Sequence, residues 1–244
     1  MRVVSWNIRA GGGVRAQQIA SQLAAWQTDV AVLLEFRGTD ASTSIALSLA
    51  DYGLSFQRNT VDRSNPAVNS VLIASRWPLR RIQLSRAPDN PRRWLHVNVA
   101  APNPLALMGI HIPNRSTGRK YPFMQSVIDI AKQWRGPPAL IAGDTNSGRI
   151  GLDEESPAFN KTEDSWLQEL QRLKWSDVYR TKPCTDSPYT WYSPNGRNGF
   201  RLDQMFLEPR LLRRQRNFSH AWGGDTTSRL ESLSDHAALL LDID

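Results

Sequence analysis

Side chains able to carry acid–base or metal chemistry recur in this sequence where short apolar runs end. Leu140-Ile141-Ala142 stops at Gly143, and Asp144 and Asn146 follow with Thr145 between them. An apolar run without polar alternation fits a strand buried on both faces, and Gly143 lets the backbone turn at its end. Gly-Asp-Thr-Asn is by itself also the wording of an Asx turn closing a strand. The pattern repeats, however. Asn7 ends a run from Val3, Glu35 ends Asp29-Val30-Ala31-Val32-Leu33-Leu34, His111 ends a run from Leu105, and Asp203 follows Arg201-Leu202. Ser234-Asp235-His236 immediately precedes the last apolar run. The set is rich in carboxylates, with two imidazoles and two amides. Hard oxygen donors of this kind suit Mg²⁺ or Mn²⁺, whereas zinc would want more His or Cys. Hydrolysis of a phosphodiester needs a metal to neutralise charge, a base to aim water, and a group facing the leaving oxygen. Candidates for all three are present.

The elements that must position these groups are legible from periodicity. Ile19, Leu23 and Trp26 stand at helical spacing over residues 14–27, and residues 42–51 form a second predicted helix. Strands are expected at residues 70–75, 94–99 and 105–112, the last two separated by Pro102-Asn103-Pro104. A helix over residues 122–134 leads to the strand at 139–142, and residues 163–174 are a further helix. Short strands are expected near Thr190-Trp191-Tyr192, at 202–207 and at 237–243, and residues 76–93 read as a long Arg- and Pro-rich loop. With no copied motif, low-complexity segment or linker, residues 1–244 are expected to form one domain, with helices outside and many strands inside.

Composition narrows the partner. The 30 Lys+Arg against 23 Asp+Glu leave a net charge of +7, and the sequence pI is near 10.0. Such a surplus points first to nucleic acid and second to an anionic membrane surface. Cys184 is the only cysteine, so an intrachain disulfide and a cysteine-based zinc site are both excluded. The N-terminus reads as a strand rather than a secretory leader, and no apolar run is long enough to span a membrane. A cytoplasmic monomer is expected.

In order and wording, Ser5-Trp6-Asn7-Ile8, Leu33-Leu34-Glu35, His111-Ile112-Pro113-Asn114, Gly143-Asp144-Thr145-Asn146, Arg201-Leu202-Asp203 and Ser234-Asp235-His236 resemble the endonuclease/exonuclease/phosphatase superfamily. The resemblance spans residues 3–243. It implies an α/β (α+β) fold, a four-layer α/β/β/α sandwich in which two mixed sheets pack face to face with helices outside. It implies Glu35 as the principal Mg²⁺ ligand (Mn²⁺ substituting), Asn7 beside it, and Asp235 holding metal or an outer-shell water. By the same resemblance Asp144 orients or deprotonates the attacking water and Asn146 holds a phosphate oxygen. His236, oriented by Asp203, contacts the scissile phosphate or acts as the second proton-transfer group. His111 departs from the exonuclease III-like branch, which tends to carry tyrosine there, and agrees with DNase I-like nucleases, deadenylases and phosphatases. Tyr189-Thr190-Trp191-Tyr192 before Arg201-Leu202-Asp203 is closer to the abasic-site branch.

The function so implied is a Mg²⁺-dependent phosphodiesterase acting on nucleic acid, DNA before RNA, as an endo- or exonuclease with a place in DNA repair. A phosphatase acting on a small or lipid phosphate ester, and an inactive nucleic-acid-binding protein, are the rivals. Arg115, Arg119, Lys120 and Arg201 are the expected backbone contacts, with Trp191 and Trp222 stacking on bases. His96, mid-strand between Leu95 and Val97, reads as structural.

Overall fold

The computed structural model describes residues 1–84, 86–181, 189–195, 197–224 and 232–244; Cys184 lies outside them. Fourteen strands are present among these residues: β1 (Arg2–Asn7), β2 (Val30–Phe36), β3 (Phe56–Asn59), β4 (Ser70–Ser75), β5 (Leu79–Arg81), β6 (Trp94–Val99), β7 (Leu105–His111), β8 (Ala139–Asp144), β9 (Ser176–Asp177), β10 (Trp191–Tyr192), β11 (Gly199–Phe200), β12 (Asp203–Leu207), β13 (Gln215–Ala221) and β14 (Ala238–Ile243). The helices are α1 (Ala16–Ala25), α2 (Asp40–Asp51), α3 (Lys120–Gln133), α4 (Lys161–Arg172) and the single turn α5 (Pro209–Leu212).

Two six-stranded mixed sheets form, in the orders β13-β14-β1-β2-β4-β3 and β5-β6-β7-β8-β12-β9. Each contains one parallel pair, β1 with β2 and β7 with β8, and antiparallel pairs elsewhere. Parallel neighbours need a crossover, which α1 supplies in the first sheet and α3 in the second. Alternation along the strands then builds the layers. Val30, Val32 and Leu34 join Leu105, Leu107, Leu140, Ala142, Met205 and Leu207 in a core between the sheets. Ala31, Leu33, Val4 and Trp6 face Ile19, Leu23, Ile45 and Leu49 of α1 and α2. Met108, Ile110 and Ile141 face Phe123, Val127, Trp166 and Leu170 of α3 and α4. This is the α/β/β/α sandwich.

Gly109 lets the two sheets approach: a Cβ there would stand 2.8 Å from Val32 Cγ1 across the interface. The expected loop at 76–93 is interrupted by β5, whose Leu79-Arg80-Arg81 has no alternation to announce it; its pairing to β6 makes it a strand. The edge strands β3 and β13 are likewise polar and are held by their neighbours β4 and β14. No helix among the described residues is long and apolar enough to cross a membrane.

Candidate active site

Strand parity places the polar strand ends. Asn7 follows the phase of Val3, His111 that of Leu105 and Leu107, Asp144 that of Leu140 and Ala142, and Asp203 that of Met205 and Leu207. All four therefore project where the inter-sheet core ends, at the C-terminal ends of the parallel pairs. Register completes the grouping, with His111 opposite Asp144 on β7 and β8 and Asp203 opposite Asp144 on β12 and β8. The four are at most 5% exposed.

Glu35 has the opposite phase and would point at the helices if β2 ran on regularly. The ladder between β2 and β4 instead shifts between Leu34 and Phe36, and Glu35 itself adopts φ 57°. This bulge takes Glu35 out of the ladder and re-aims its carboxylate, as bulges beside active sites do. Oε2 accepts the Ala10 N–H at 2.7 Å, which ties the acid to the left-handed run Arg9 to Gly13.

Gly143 has φ 149°, and a Cβ on it would lie 1.9 Å from the Ile110 carbonyl oxygen. Only glycine fits there, and β8 runs on through it to Asp144 instead of turning at Gly143 as the sequence led one to expect. At the end of β8, Asp144 Oδ1 accepts the Asn146 N–H at 2.9 Å and Oδ2 accepts Asn7 Nδ2–H at 3.2 Å, linking the two sheets. Asn146, at φ 47°, donates its amide to the Ile112 carbonyl at 2.8 Å. His236 Nδ1 is 2.8 Å from Asp203 Oδ2, so Nε2 is the ring nitrogen left for a ligand. The Ser234 hydroxyl donates to the Asn7 carbonyl at 2.6 Å and brings the final loop onto β1.

Burial raises the Asp144 pKa to about 7, with Asp203 adding to the rise and His236, Asn146 and Asn7 opposing it. Burial alone would lower His236, but its bond to the Asp203 carboxylate and the nearby Asp144 and Asp235 lift it to about 10. His111 goes the other way: burial, with Arg93 and His236 nearby, pushes it well below the ordinary histidine value. The two shifts are opposite in sign, favouring the cationic form of His236 and the neutral form of His111. His111 Nε2 is 3.6 Å from Asp144 Oδ2, beyond hydrogen-bonding distance.

Asp144, Asp203 and His236 each offer a ligand atom within 4.8 Å of the others, a cluster able to coordinate a divalent metal. The Arg9–Ala10 segment touches three further oxygen donors: Glu35 through the Ala10 N–H, Asn7 Oδ1 through the Arg9 N–H at 3.1 Å, and Asp235 through the Arg9 side chain. Asp235 is half-buried, Arg9 Nε stands 3.8 Å from its Oδ2, and Oδ1 is buried with no hydrogen-bond partner. A buried carboxylate oxygen without a hydrogen-bond partner suits a hard cation.

The model of the Endonuclease/Exonuclease/phosphatase family matches residues 4–236. The chain belongs to that family. Solved structures share the family fold over the whole chain. A 3′–5′ exonuclease from Neisseria meningitidis is 22% identical with a TM-score of 0.80 and full coverage of both chains. A 3′ phosphatase from Neisseria bound to a product DNA hairpin is also 22% identical, at TM-score 0.80 over 100% of this chain and 99% of that one. An AP endonuclease from Archaeoglobus fulgidus is 17% identical at TM-score 0.79, covering 100% of this chain and 99% of that one. At these identities the likeness establishes the fold. No curated protein matches the chain.

Two expected backbone contacts are corrected. Arg201 is buried, with Nε 2.7 Å from Asp153 Oδ1 and Nη2 2.5 Å from Asp177 Oδ2. Lys120 is also buried; its ammonium pairs with Glu163 and donates to the Asn146 carbonyl at 2.5 Å. Both cations are spent on internal carboxylates that sequence proximity did not reveal. Arg115 is drawn onto Glu163 at 3.1 Å and onto the Ala158 carbonyl at 2.6 Å. Arg119 remains exposed on a depression that it shares with Arg81 and Arg92 and with the acids Asp62 and Asp89, Arg92 being paired with Asp62 at 3.3 Å. Trp191 packs 6.3 Å from the His236 ring, whereas Trp222 lies against Tyr192 on a depression of about 460 Å³ shared with Arg9, Arg197 and Asp235. His96 is buried against Trp134, as its strand setting implied.

Sequence reasoning missed Thr190 as a positioning residue. Its hydroxyl oxygen accepts the N–H groups of Leu202 at 3.1 Å and Asp203 at 3.0 Å, anchoring the start of β12. Thr190 was visible only as one residue of a motif, since its partners are fixed by the tertiary fold.

Proposed function

We propose that residues 1–244 act as one Mg²⁺-dependent phosphodiesterase that hydrolyses DNA. The observation that carries this reading is the convergence of Asp144, the Asp203–His236 pair, Asn7 and Glu35 at one end of the inter-sheet core. The basic surplus and the exposed Arg119 support a polymeric anion as substrate. Structural neighbours described as a 3′–5′ exonuclease, a DNA-bound 3′ phosphatase and an AP endonuclease support DNA over RNA.

Mg²⁺, with Mn²⁺ as its substitute, would be held by Glu35, Asn7 and Asp235. In the Asp144–Asp203–His236 cluster His236 Nδ1 is already bonded to Asp203, and this reading gives those side chains to proton transfer. The metal supplies charge neutralisation at the phosphate. Asp144 accepts a proton from the attacking water while the water oxygen forms its bond to phosphorus. The opposite phosphorus–oxygen bond breaks, and His236, kept cationic by Asp203, donates a proton to the leaving oxygen. Asn146 and the neutral His111 are placed to hold phosphate oxygens.

The pH dependence follows. Asp144 works ionised, so kcat/KM should climb about tenfold per pH unit in acid and level off near pH 7. His236 works protonated, so the rate should fall only as pH approaches about 10. Initial rates at saturating Mg²⁺ between pH 5 and 10.5 check this. A rate that falls as pH rises from 5 to 7 would exclude Asp144 as the base.

The reading is tested on three end-labelled DNAs: plain duplex, single strand, and duplex with one central abasic analogue. Each is incubated with Mg²⁺, Mn²⁺ or EDTA and resolved on a gel. Metal-dependent cutting is the expected result; cutting confined to the abasic position marks a repair endonuclease, and laddering marks a general nuclease. Cutting that persists in EDTA refutes the metal requirement. Absence of cutting on all three refutes the DNA reading in favour of a small or lipid phosphate ester.

A further inference from the structure

We infer that Arg93 is a catalytic residue of this site, its guanidinium gripping a non-bridging oxygen of the scissile phosphate. The inference rests on the phosphodiesterase reading above and adds to it a cation the motifs do not contain.

The position follows from the strand pattern. Arg93 immediately precedes β6, whose Leu95, Val97 and Val99 face the inter-sheet core. Arg93 continues that phase. It therefore projects toward the same end of the core as Asn7, His111, Asp144 and Asp203. Its carbonyl accepts the His111 N–H at 2.8 Å, which places it directly opposite His111 across β6 and β7. Neighbours opposed in this way share a face of the sheet.

The surroundings are those of a charge awaiting an anion. Arg93 is half-buried. Among the described residues its guanidinium makes no hydrogen bond and no ion pair. The other buried cations differ: Lys120 holds Glu163, and Arg201 holds Asp153 and Asp177. Burial lowers the Arg93 pKa, and the acids that act against this are Glu35 and Asp144, the proposed metal ligand and base. The guanidinium nonetheless stays protonated in any protein setting. A desolvated cation without a carboxylate is costly to keep. A planar donor fork on the same face as the proposed base is suited to two oxygens of one phosphate. In the transition state the negative charge on those oxygens is stabilised by a donor already in place, which acts on kcat more than on binding.

The test compares wild type, Arg93→Ala and Arg93→Lys on the DNA that the wild-type enzyme cuts. Thermal midpoint, DNA Kd and kcat are recorded for each. Arg93→Ala should lose about 10²–10³-fold in kcat, the effect of removing one transition-state donor. Its Kd should stay within threefold, and guanidinium or methylguanidinium added to the assay should restore at least tenfold. Arg93→Lys, which keeps the charge but not the fork, should lose at least tenfold. A kcat for Arg93→Ala within threefold of wild type overturns the inference, as does a loss that guanidinium leaves untouched. Should Arg93→Ala fail to fold, Arg93→Lys decides: wild-type kcat overturns the inference, and a tenfold loss in a folded protein supports it. Failure of the wild-type enzyme to cut any DNA counts against the phosphodiesterase reading and is seen before the variants are compared.

Discussion

Replacing Asp144 by Asn is expected to lower kcat about 10²–10⁴-fold, with a similar loss for His236→Gln, while DNA Kd changes little. Asn keeps the volume of the aspartate and can still accept the Asn146 N–H, so the end of β8 should survive. What it loses is the ability to take a proton. His236→Gln removes the imidazolium while leaving an amide that can reach Asp203; this is preferable to His236→Ala, which strands a buried carboxylate. The two groups are placed by different parts of the chain, Asp144 by β8 and His236 by the loop before β14. In the proposed reaction both act in one displacement, so the double variant should be little worse than the more damaging single one. Single-turnover cleavage beside a binding assay separates the two quantities. Wild-type rates in both single variants would mean that the site is elsewhere on the fold.

Asp153→Asn should cost about 3–5 kcal/mol of stability, the usual penalty for breaking a buried ion pair by removing one partner. Asp153 is 0% exposed. Its carboxylate receives Arg201 Nε at 2.7 Å, Arg180 Nη2 at 2.5 Å and the Arg149 N–H at 2.8 Å. Burial alone would raise its pKa, but the two arginines and these hydrogen bonds hold it below the ordinary carboxylate value. Asn would leave Arg201 with Asp177 alone. Domains are stable by only about 5–15 kcal/mol, so the urea midpoint should fall sharply. The salt dependence of DNA binding measures something else. Because Arg201 touches no solvent-facing surface, the slope of log K against log salt should be unchanged in this variant. A flattened slope with an unmoved urea midpoint would return Arg201 to the nucleic-acid interface.

Much of the site is legible in the sequence because it obeys local rules. Asn7, His111, Asp144 and Asp203 end or begin strands whose apolar alternation is continuous with them, so type, position and approximate grouping follow from the chain alone. The central strands and the four longer helices carry enough periodic apolar residues to announce themselves. The polar edge strands β3, β5 and β13 do not, since their pairing is imposed by neighbours already in place.

What the tertiary structure alone decides is which charges are available. Arg201 and Lys120 look like surface cations in sequence, yet their carboxylate partners arrive from Asp153, Asp177 and Glu163, up to 48 residues away. Arg93 looks like one more arginine in a basic loop, yet among the described residues its guanidinium has no ion pair and feels Glu35 and Asp144. Glu35 has the wrong strand phase for the site and reaches it only through a bulge at φ 57°. The kinds of side chain and their order are written along the chain. Their ionisation and their freedom to meet a phosphate depend on burial and on long-range partners, because the cost of an uncompensated charge is set by the three-dimensional surroundings and not by its neighbours in sequence.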